Sequence, residues 1–209
     1  VENEKITDYI DQLYEKKAFV KKESFTSYMQ LKKYIPTVND QEACFLRLLI
    51  RLIKPRKILE IGTSVGFSTA SMALAAKEYG GRITTIEFDD KAADQAERNF
   101  IKTGVSDYIN ILKGDAVKIL HDLNDTYDLI FQDVDKRLYP VLLDDCIRLL
   151  NKNGVLLSDD VLFPVIELDE IWNNQIEPIS EYNKKIISHS QLESVLLPIG
   201  DGIMMSVKK

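Results

Sequence analysis

Three aspartates and a lysine in the second half of the chain have the types and spacing for cation-assisted acid–base chemistry. Asp133 ends the run Tyr127-Asp128-Leu129-Ile130-Phe131-Gln132, and Asp159 and Asp160 end the run Gly154-Val155-Leu156-Leu157-Ser158. If these runs are neighbouring strands, the three carboxylates gather at one rim, where they raise one another's pKa unless a cation binds. Oxygen ligands without His or Cys suit Mg²⁺, which keeps positions open for water or substrate oxygens. Lys136 lies three residues past Asp133, beside the same rim. A divalent cation next to it disfavours its ammonium, so its pKa drops and it can act as a base. Plainer readings stand beside these. Asp at a strand end is common turn chemistry, and Lys136 could simply pair with one of the aspartates.

A second set of residues is suited to a nucleotide. The apolar run Lys57-Ile58-Leu59-Glu60-Ile61 breaks at Gly62, and Gly66 precedes a helix-forming stretch, so strand, tight turn and helix follow one another. Gly62 lets the backbone turn sharply, and Gly66 permits a close approach at the helix start. The spacing is G-x-x-x-G, which disfavours an NAD-binding oxidoreductase because its G-x-G-x-x-G fingerprint is absent. The run Arg82-Ile83-Thr84-Thr85-Ile86-Glu87 ends in an acid 25 residues past Gly62. A carboxylate there can accept both ribose hydroxyls of an adenosine. In Gly114-Asp115-Ala116, side chain and backbone can meet the adenine amino edge, and Asp115 can also cap the next helix.

The elements that must position these residues alternate from Lys57 onward. Strands are expected at 57–62, 82–88, 109–114, 127–133 and 154–160, with helices at 67–79, 90–103, 116–123, 138–150 and 167–187. Such alternation means an α/β domain with a mainly parallel sheet covered on both faces. Ligands in such a sheet bind at the carboxyl ends of the strands. Gly200-Asp201-Gly202 between two apolar runs predicts a C-terminal antiparallel hairpin. Residues 1–54 read as a helical extension and 55–209 as the α/β domain. In the extension Ile6, Tyr9, Ile10, Leu13 and Tyr14 recur at helical spacing, Ser24 can cap a segment reaching Tyr34, and Asn39 or Asp40 can cap a helix through Ile53.

At 209 residues the chain is long enough for a full core, and its net charge of -6 announces no strongly basic surface. A local basic face on an acidic protein is still compatible with RNA. Cys44 and Cys146 fall in apolar helical patterns and read as reduced core residues, and the two histidines, His121 and His189, lack zinc-ligand spacing. With no secretory signal and no run of eighteen apolar residues, the expected location is cytoplasmic, without a membrane. The chain begins at Val1, so a few native residues are expected to precede it.

Taken jointly, Leu59-Glu60-Ile61-Gly62-Thr63, Gly66-Phe67-Ser68, Glu87, Gly114-Asp115-Ala116, Asp133-Val134-Asp135-Lys136 with Tyr139, and Asp159-Asp160-Val161-Leu162 resemble the divalent-metal-dependent O-methyltransferases of the catechol and caffeoyl-CoA type. The resemblance runs from about Pro36 to the C-terminus and implies a Rossmann-like S-adenosylmethionine (SAM) methyltransferase fold and a homodimer. It implies SAM contacts from Val38, Gly62, Ser68, Glu87, Ala116 and Asp133, with Asp115 beside them. It also implies a metal held by Asp133, Asp159 and Asp160, with Lys136 as catalytic base. The family usually has Asn where this chain has Asp160, an extra negative charge beside the metal. Within the family, Asp159-x-Val161-Leu162-Phe163, Glu181-Tyr182-Asn183 and the ending from Leu197 to Ile203 resemble bacterial tRNA 5-hydroxyuridine methyltransferases. That implies a tRNA anticodon loop as partner and a wobble uridine as acceptor, with a small phenolic substrate as the alternative. Lys16, Lys17, Lys21, Lys22, Lys32, Lys33, Arg56 and Lys57 are the phosphate contacts this needs. A SAM-binding protein without catalysis is the remaining rival.

Overall fold

We describe a computed structural model covering residues 20–26 and 37–209, together with 5, 9, 10, 12 and 13. A seven-stranded sheet carries the molecule, with strands β1 Lys57–Ile61, β2 Arg82–Glu87, β3 Ile109–Lys113, β4 Tyr127–Gln132, β5 Leu150–Ser158, β6 Leu192–Leu197 and β7 Ile203–Lys208. Their order is β3-β2-β1-β4-β5-β7-β6. The first five are parallel, and β7 and β6 add an antiparallel edge. The order reverses between β1 and β4, the switch point at which open α/β sheets bind ligands.

The helices are α1 Asp40–Ile53, α2 Phe67–Ala76, α3 Asp90–Thr103, α4 Ala116–Asp122, α5 Tyr139–Leu149 and α6 Asn173–Ser188. Apolar side chains alternate across the sheet and feed a core on each face. Ile58, Leu129, Phe131 and Leu157 meet α1 and α2 through Leu46, Ile50, Phe67 and Met72. Leu59, Ile61, Ile130 and Leu156 meet α5 and α6 through Leu142, Cys146, Ile179 and Tyr182. Helix α1 therefore belongs to the same core as the sheet, although the sequence places it in an extension ending at residue 54. Its start is set by Asn39, whose side chain accepts from Glu42 N–H while the Glu42 carboxylate accepts from Asn39 N–H.

Three expectations need adjusting. Ser24 lies inside a single helical turn, Glu23–Thr26, and its hydroxyl donates to Lys21 O rather than capping; the segment beyond Thr26 lies outside the described residues, as do Ile6 and Tyr14. Strand β5 starts at Leu150 because Leu150 already pairs with Tyr127. The last helix starts at Asn173 rather than 167, since Ile166 and Leu168 pack onto the core from an irregular segment. Both cysteines are free; Cys146 is a core residue as expected, whereas Cys44 is only half-buried. No helix among the described residues is long and apolar enough to cross a membrane.

Beyond the last residue of β1, β3, β4 and β5 the hydrogen-bond ladder runs one step further. Gly62 N–H donates to Ile86 O, Asp133 N–H to Ile61 O, Gly114 N–H to Glu87 O and Asp159 N–H to Gln132 O, all between 2.8 and 3.0 Å. The rim is thus an ordered continuation of the sheet. Gly62 turns there at φ +100°, so close to Asp133 that a Cβ would collide with the Asp133 carbonyl oxygen. Gly62→Ala therefore meets both a disfavoured backbone and a backbone clash. We expect a loss of about 2–4 kcal/mol, read as a lower Tm or urea midpoint. A variant as stable as the parent would show that β1 and β4 need not approach this closely.

Candidate active site

The glycine-rich turn after β1 is held from below by a buried acid. Glu60 is fully buried and faces α2, where it accepts from the hydroxyls of Ser68 (2.6 Å) and Thr69 and from Thr85 on β2 (2.6 Å). Thr63 Oγ1 joins this network at 2.6 Å from Thr85 Oγ1, and Asn99 of α3 donates to Val65 O at 2.9 Å. Burial raises the Glu60 carboxyl to about 7, although the three hydroxyls pull it down. Ser68, expected at the cofactor, thus spends its hydroxyl on Glu60. Glu60 was visible in the sequence only as an acid preceding the turn.

Glu87 lies at the end of β2 as the spacing requires, but it grips the turn itself. Its Oε2 accepts from Thr63 N–H (3.1 Å) and Ser64 N–H (2.7 Å), and Oε1 accepts from Asp89 N–H (2.9 Å). Burial raises its pKa against those backbone donors. Asp115 is the N-cap of α4, accepting from Val117 N–H at 2.9 Å, and Ala116 behind it is buried. Val38 is buried just ahead of α1. Gly62, Glu87, Asp115 and Asp133 are therefore arranged along adjacent strand ends.

At the ends of β4 and β5 the acidic residues surround one lysine. Lys136 is 5% exposed, with Nζ 2.8 Å from Asp133 Oδ1 and 2.8 Å from Asp160 Oδ2. It lies over the rings of Tyr139 (5.3 Å) and Phe163 (6.0 Å), and its backbone N–H donates to Gln175 Oε1. The Tyr139 hydroxyl lies 2.8 Å from Gln132 O and 3.0 Å from Asp159 O, tying the two strand ends together. Asp160 takes a left-handed backbone, φ 58°, and its N–H donates to Asp159 Oδ1.

These contacts set the charge state of Lys136 in this arrangement. Burial works against its charge, but Asp133, Tyr139, Asp160 and Asp159 outweigh burial and hold its pKa well above the ordinary value. In this arrangement Lys136 is a charged donor to Asp133 and Asp160. Burial is also the main reason that the Asp159 and Asp160 carboxyls are raised, with neighbouring carboxylates adding to it and Lys136 opposing. The expected metal set is likewise not assembled: among the described residues no three His, Cys, Asp or Glu side chains stand ready to hold an ion. The reason is geometric. The Lys136 ammonium occupies the space between Asp133 and Asp160. The donor chemistry nevertheless fits a hard divalent cation, since the rim offers oxygens alone and already gathers around a positive charge.

This arrangement has relatives. Residues 11–209 match the O-methyltransferase family. The chain belongs to that family. It is 32% identical over 182 residues to the caffeoyl-CoA O-methyltransferase of Populus kitakamiensis, spanning 81% of this chain and 77% of that protein. It is 30% identical over 186 residues to the catechol O-methyltransferase of Niastella koreensis, spanning 83% and 82%. In fold it superposes on an O-methyltransferase from Bacillus cereus in complex with SAH, with a TM-score of 0.82 at 24% identity over 96% and 97% of the two chains. This O-methyltransferase is SAM-dependent and of the caffeoyl-CoA and catechol type.

Two measurements check the cofactor half of the site. Glu87→Ala removes both the turn's anchor and a charged acceptor, and should weaken SAM binding roughly ten- to hundredfold by calorimetry. Glu60 governs a pH dependence. Because its pKa rises from 4.5 to about 7 on folding, the stability its protonated form contributes is full below 4.5 and is lost as pH rises through 7. With chelator present, Glu60→Gln should flatten the fall of Tm between about pH 5 and pH 8. Parallel Tm curves for variant and parent would remove Glu60 as the titrating group.

Proposed function

We propose that this O-methyltransferase transfers the SAM methyl group to one of two vicinal oxygens on a small catechol-like acceptor, with a divalent cation such as Mg²⁺. The observation that carries this reading is Lys136 held 2.8 Å from both Asp133 and Asp160 at the strand-end rim. Asp133, Asp159 and Asp160 would hold the cation, which when bound acidifies an acceptor hydroxyl and offers a counter-charge to the carboxylates. Lys136 can take the hydroxyl proton on Nζ only as the neutral amine, after the ammonium that faces Asp133 and Asp160 has given one proton to solvent. The acceptor oxygen then forms a bond to the methyl carbon as the carbon–sulfur bond breaks, and SAH leaves. Glu87 and the 62–66 turn would orient the cofactor, and Tyr139 fixes the spacing of β4 and β5. Most of the acceleration in such a transfer comes from positioning.

The 5-hydroxyuridine of a tRNA wobble position offers the same vicinal pair, its 5-oxygen and 4-carbonyl oxygen, and is the competing acceptor. It needs basic residues on the side of the rim. Arg56 and Lys57 stand at the amino end of β1, on the opposite side of the sheet, with Arg56 Nη1 on Tyr79 O and Lys57 Nζ on Asp125. Lys22 Nζ donates to Thr37 O at 2.7 Å. Lys16, Lys17, Lys32 and Lys33 lie outside the described residues. Arg56 and Lys57 therefore do not supply that face, and the small acceptor, which needs none, is the simpler reading.

Purified protein with SAM and Mg²⁺ should methylate a small catechol, lose that turnover in EDTA, and regain it with Mg²⁺ or Mn²⁺. Asp160→Asn keeps an oxygen at the rim and should retain turnover, whereas Asp160→Ala should lose most of it. Full turnover in EDTA by metal-free protein would sink the cation. Turnover of hydroxyuridine-containing tRNA with none on a catechol would replace the acceptor.

A further inference from the structure

Lys136 is held by its backbone as well as by its ammonium. It opens a single 3₁₀ turn, Lys136–Leu138, whose next amides are served locally. Arg137 N–H donates to Asp135 Oδ1 at 3.0 Å, and Leu138 N–H to Asp135 O at 2.9 Å. Asp135 spends its remaining carboxylate contacts on the Arg137 guanidinium. The Lys136 N–H donates instead to another element: Gln175 Oε1, 39 residues along the chain, at 2.9 Å. Gln175 is 7% exposed and Lys136 5%, so water is a poor substitute acceptor and an unmet donor there is costly.

Gln175 also occupies a position where helical periodicity calls for an apolar side chain. The buried residues of α6 are Gln175, Ile179, Tyr182 and Ile186, one stripe at helical spacing. The rest of that stripe is fixed to the sheet and to α5. The Tyr182 hydroxyl lies 2.5 Å from Ser158 Oγ at the end of β5, and its ring meets Tyr139 edge-on with 5.1 Å between centroids. Ile179 and Ile186 sit in the core with Leu142 and Cys146. The glutamine is thus the polar end of a firmly seated face, and its carbonyl serves one amide.

This anchor does not depend on the charges at the rim. Asp133 and Asp160 hold Nζ here, yet they are the carboxylates assigned above to a cation. The rings of Tyr139 and Phe163 lie beside Nζ without fixing the main chain. The bond from Lys136 N–H to Gln175 is directional and fixes the point from which the side chain reaches out. We propose that Gln175 is a positioning residue for the methyl transfer, holding the Lys136 main chain so that Nζ stays within reach of the acceptor oxygen when Asp133 and Asp160 no longer hold it. The inference rests on the reading that Lys136 takes the acceptor's proton, and deepens it by naming the group that places the lysine.

Two substitutions of one residue test this. Gln175→Met keeps the length of the side chain and removes the acceptor, whereas Gln175→Glu keeps an acceptor oxygen at the same reach. With full-length protein, SAM, Mg²⁺ and methylcatechol, Gln175→Met should lower kcat roughly ten- to a hundredfold. SAM affinity by calorimetry should stay within about twofold, and Gln175→Glu should restore most of kcat. Amide exchange at Lys136, read by NMR in the SAH complex without turnover, should be about tenfold faster or more in Gln175→Met and slow again in Gln175→Glu. On a Lys136→Met background Gln175→Met should cost nothing further, because it acts through the lysine. Equal losses on both backgrounds, with Tm falling in parallel, mean that Gln175 supports folding alone and overturn the proposal. A Gln175→Met enzyme with the parent's kcat, or a Gln175→Glu enzyme no better than Gln175→Met, overturns it too. If Lys136→Met does not fold, the rescue by Gln175→Glu and the amide exchange decide by themselves. Parent-like turnover by Lys136→Met sinks the reading of the lysine and this role with it. A parent that methylates no methylcatechol sinks the vicinal-dioxygen reading, a failure distinct from a working enzyme indifferent to Gln175.

Discussion

Asp133 and Asp160 come within 2.8 Å of a common point because the Lys136 ammonium occupies it. Without that cation, two carboxylates in a half-buried corner would repel, and the backbone that carries them would have to open. The lysine is itself buried, so the arrangement is mutual: neither sign is tolerable there alone. Removing one member of such a buried pair typically costs roughly 3–5 kcal/mol. The left-handed backbone at Asp160 and the Tyr139 hydroxyl between Gln132 O and Asp159 O both hold the carboxylates at the reach of that ammonium.

A backbone constraint places this corner beside the cofactor turn. Gly62 lies against the Asp133 carbonyl because the ladder between β1 and β4 continues past both strand ends. The sulfonium side and the acceptor side of a methyl transfer must be brought within bonding reach, and here the same close contact serves both. Glu60 and Glu87 then fix the turn from two directions, one through side-chain hydroxyls of α2 and β2 and the other through backbone N–H groups. The loop is thus rigid because it is over-determined by its acceptors.

Much of this is legible in the chain. The strand–turn–helix at Gly62, the acid at Glu87 and the paired Asp159-Asp160 at a strand end follow from hydrophobic period and breaker residues, which report local structure. Interactions across distant elements are less visible. Asn39 and Glu42 read as a helix start, and nothing local says that the Glu42 carboxylate also meets a hairpin tip some 160 residues away. The hydroxyls of Ser68, Thr69 and Thr85 looked ordinary until the fold placed Glu60 among them. Lys136 shows the same limit in its charge state: its distance from Asp133 in sequence is plain, but its second partner, Asp160, comes from another strand. That second carboxylate is what holds the ammonium between two strand ends.

Net charge was the weakest guide, because a sum has no position. The basic residues nearest β1 serve its amino end, where Arg56 N–H and Lys57 N–H donate to Asp128 Oδ2 and Lys57 Nζ pairs with Asp125. Those pairs are exposed and contribute little to stability, but they occupy the cations at the end of the sheet far from the site. The opposite end gathers Asp133 and Asp160 around Lys136, with Asp159 beside them. The chain's net charge of -6 thus says nothing of how its charges are distributed between the two ends of the sheet. What an acceptor meets is the local field, and at this rim the local field is set by carboxylates that share a single ammonium.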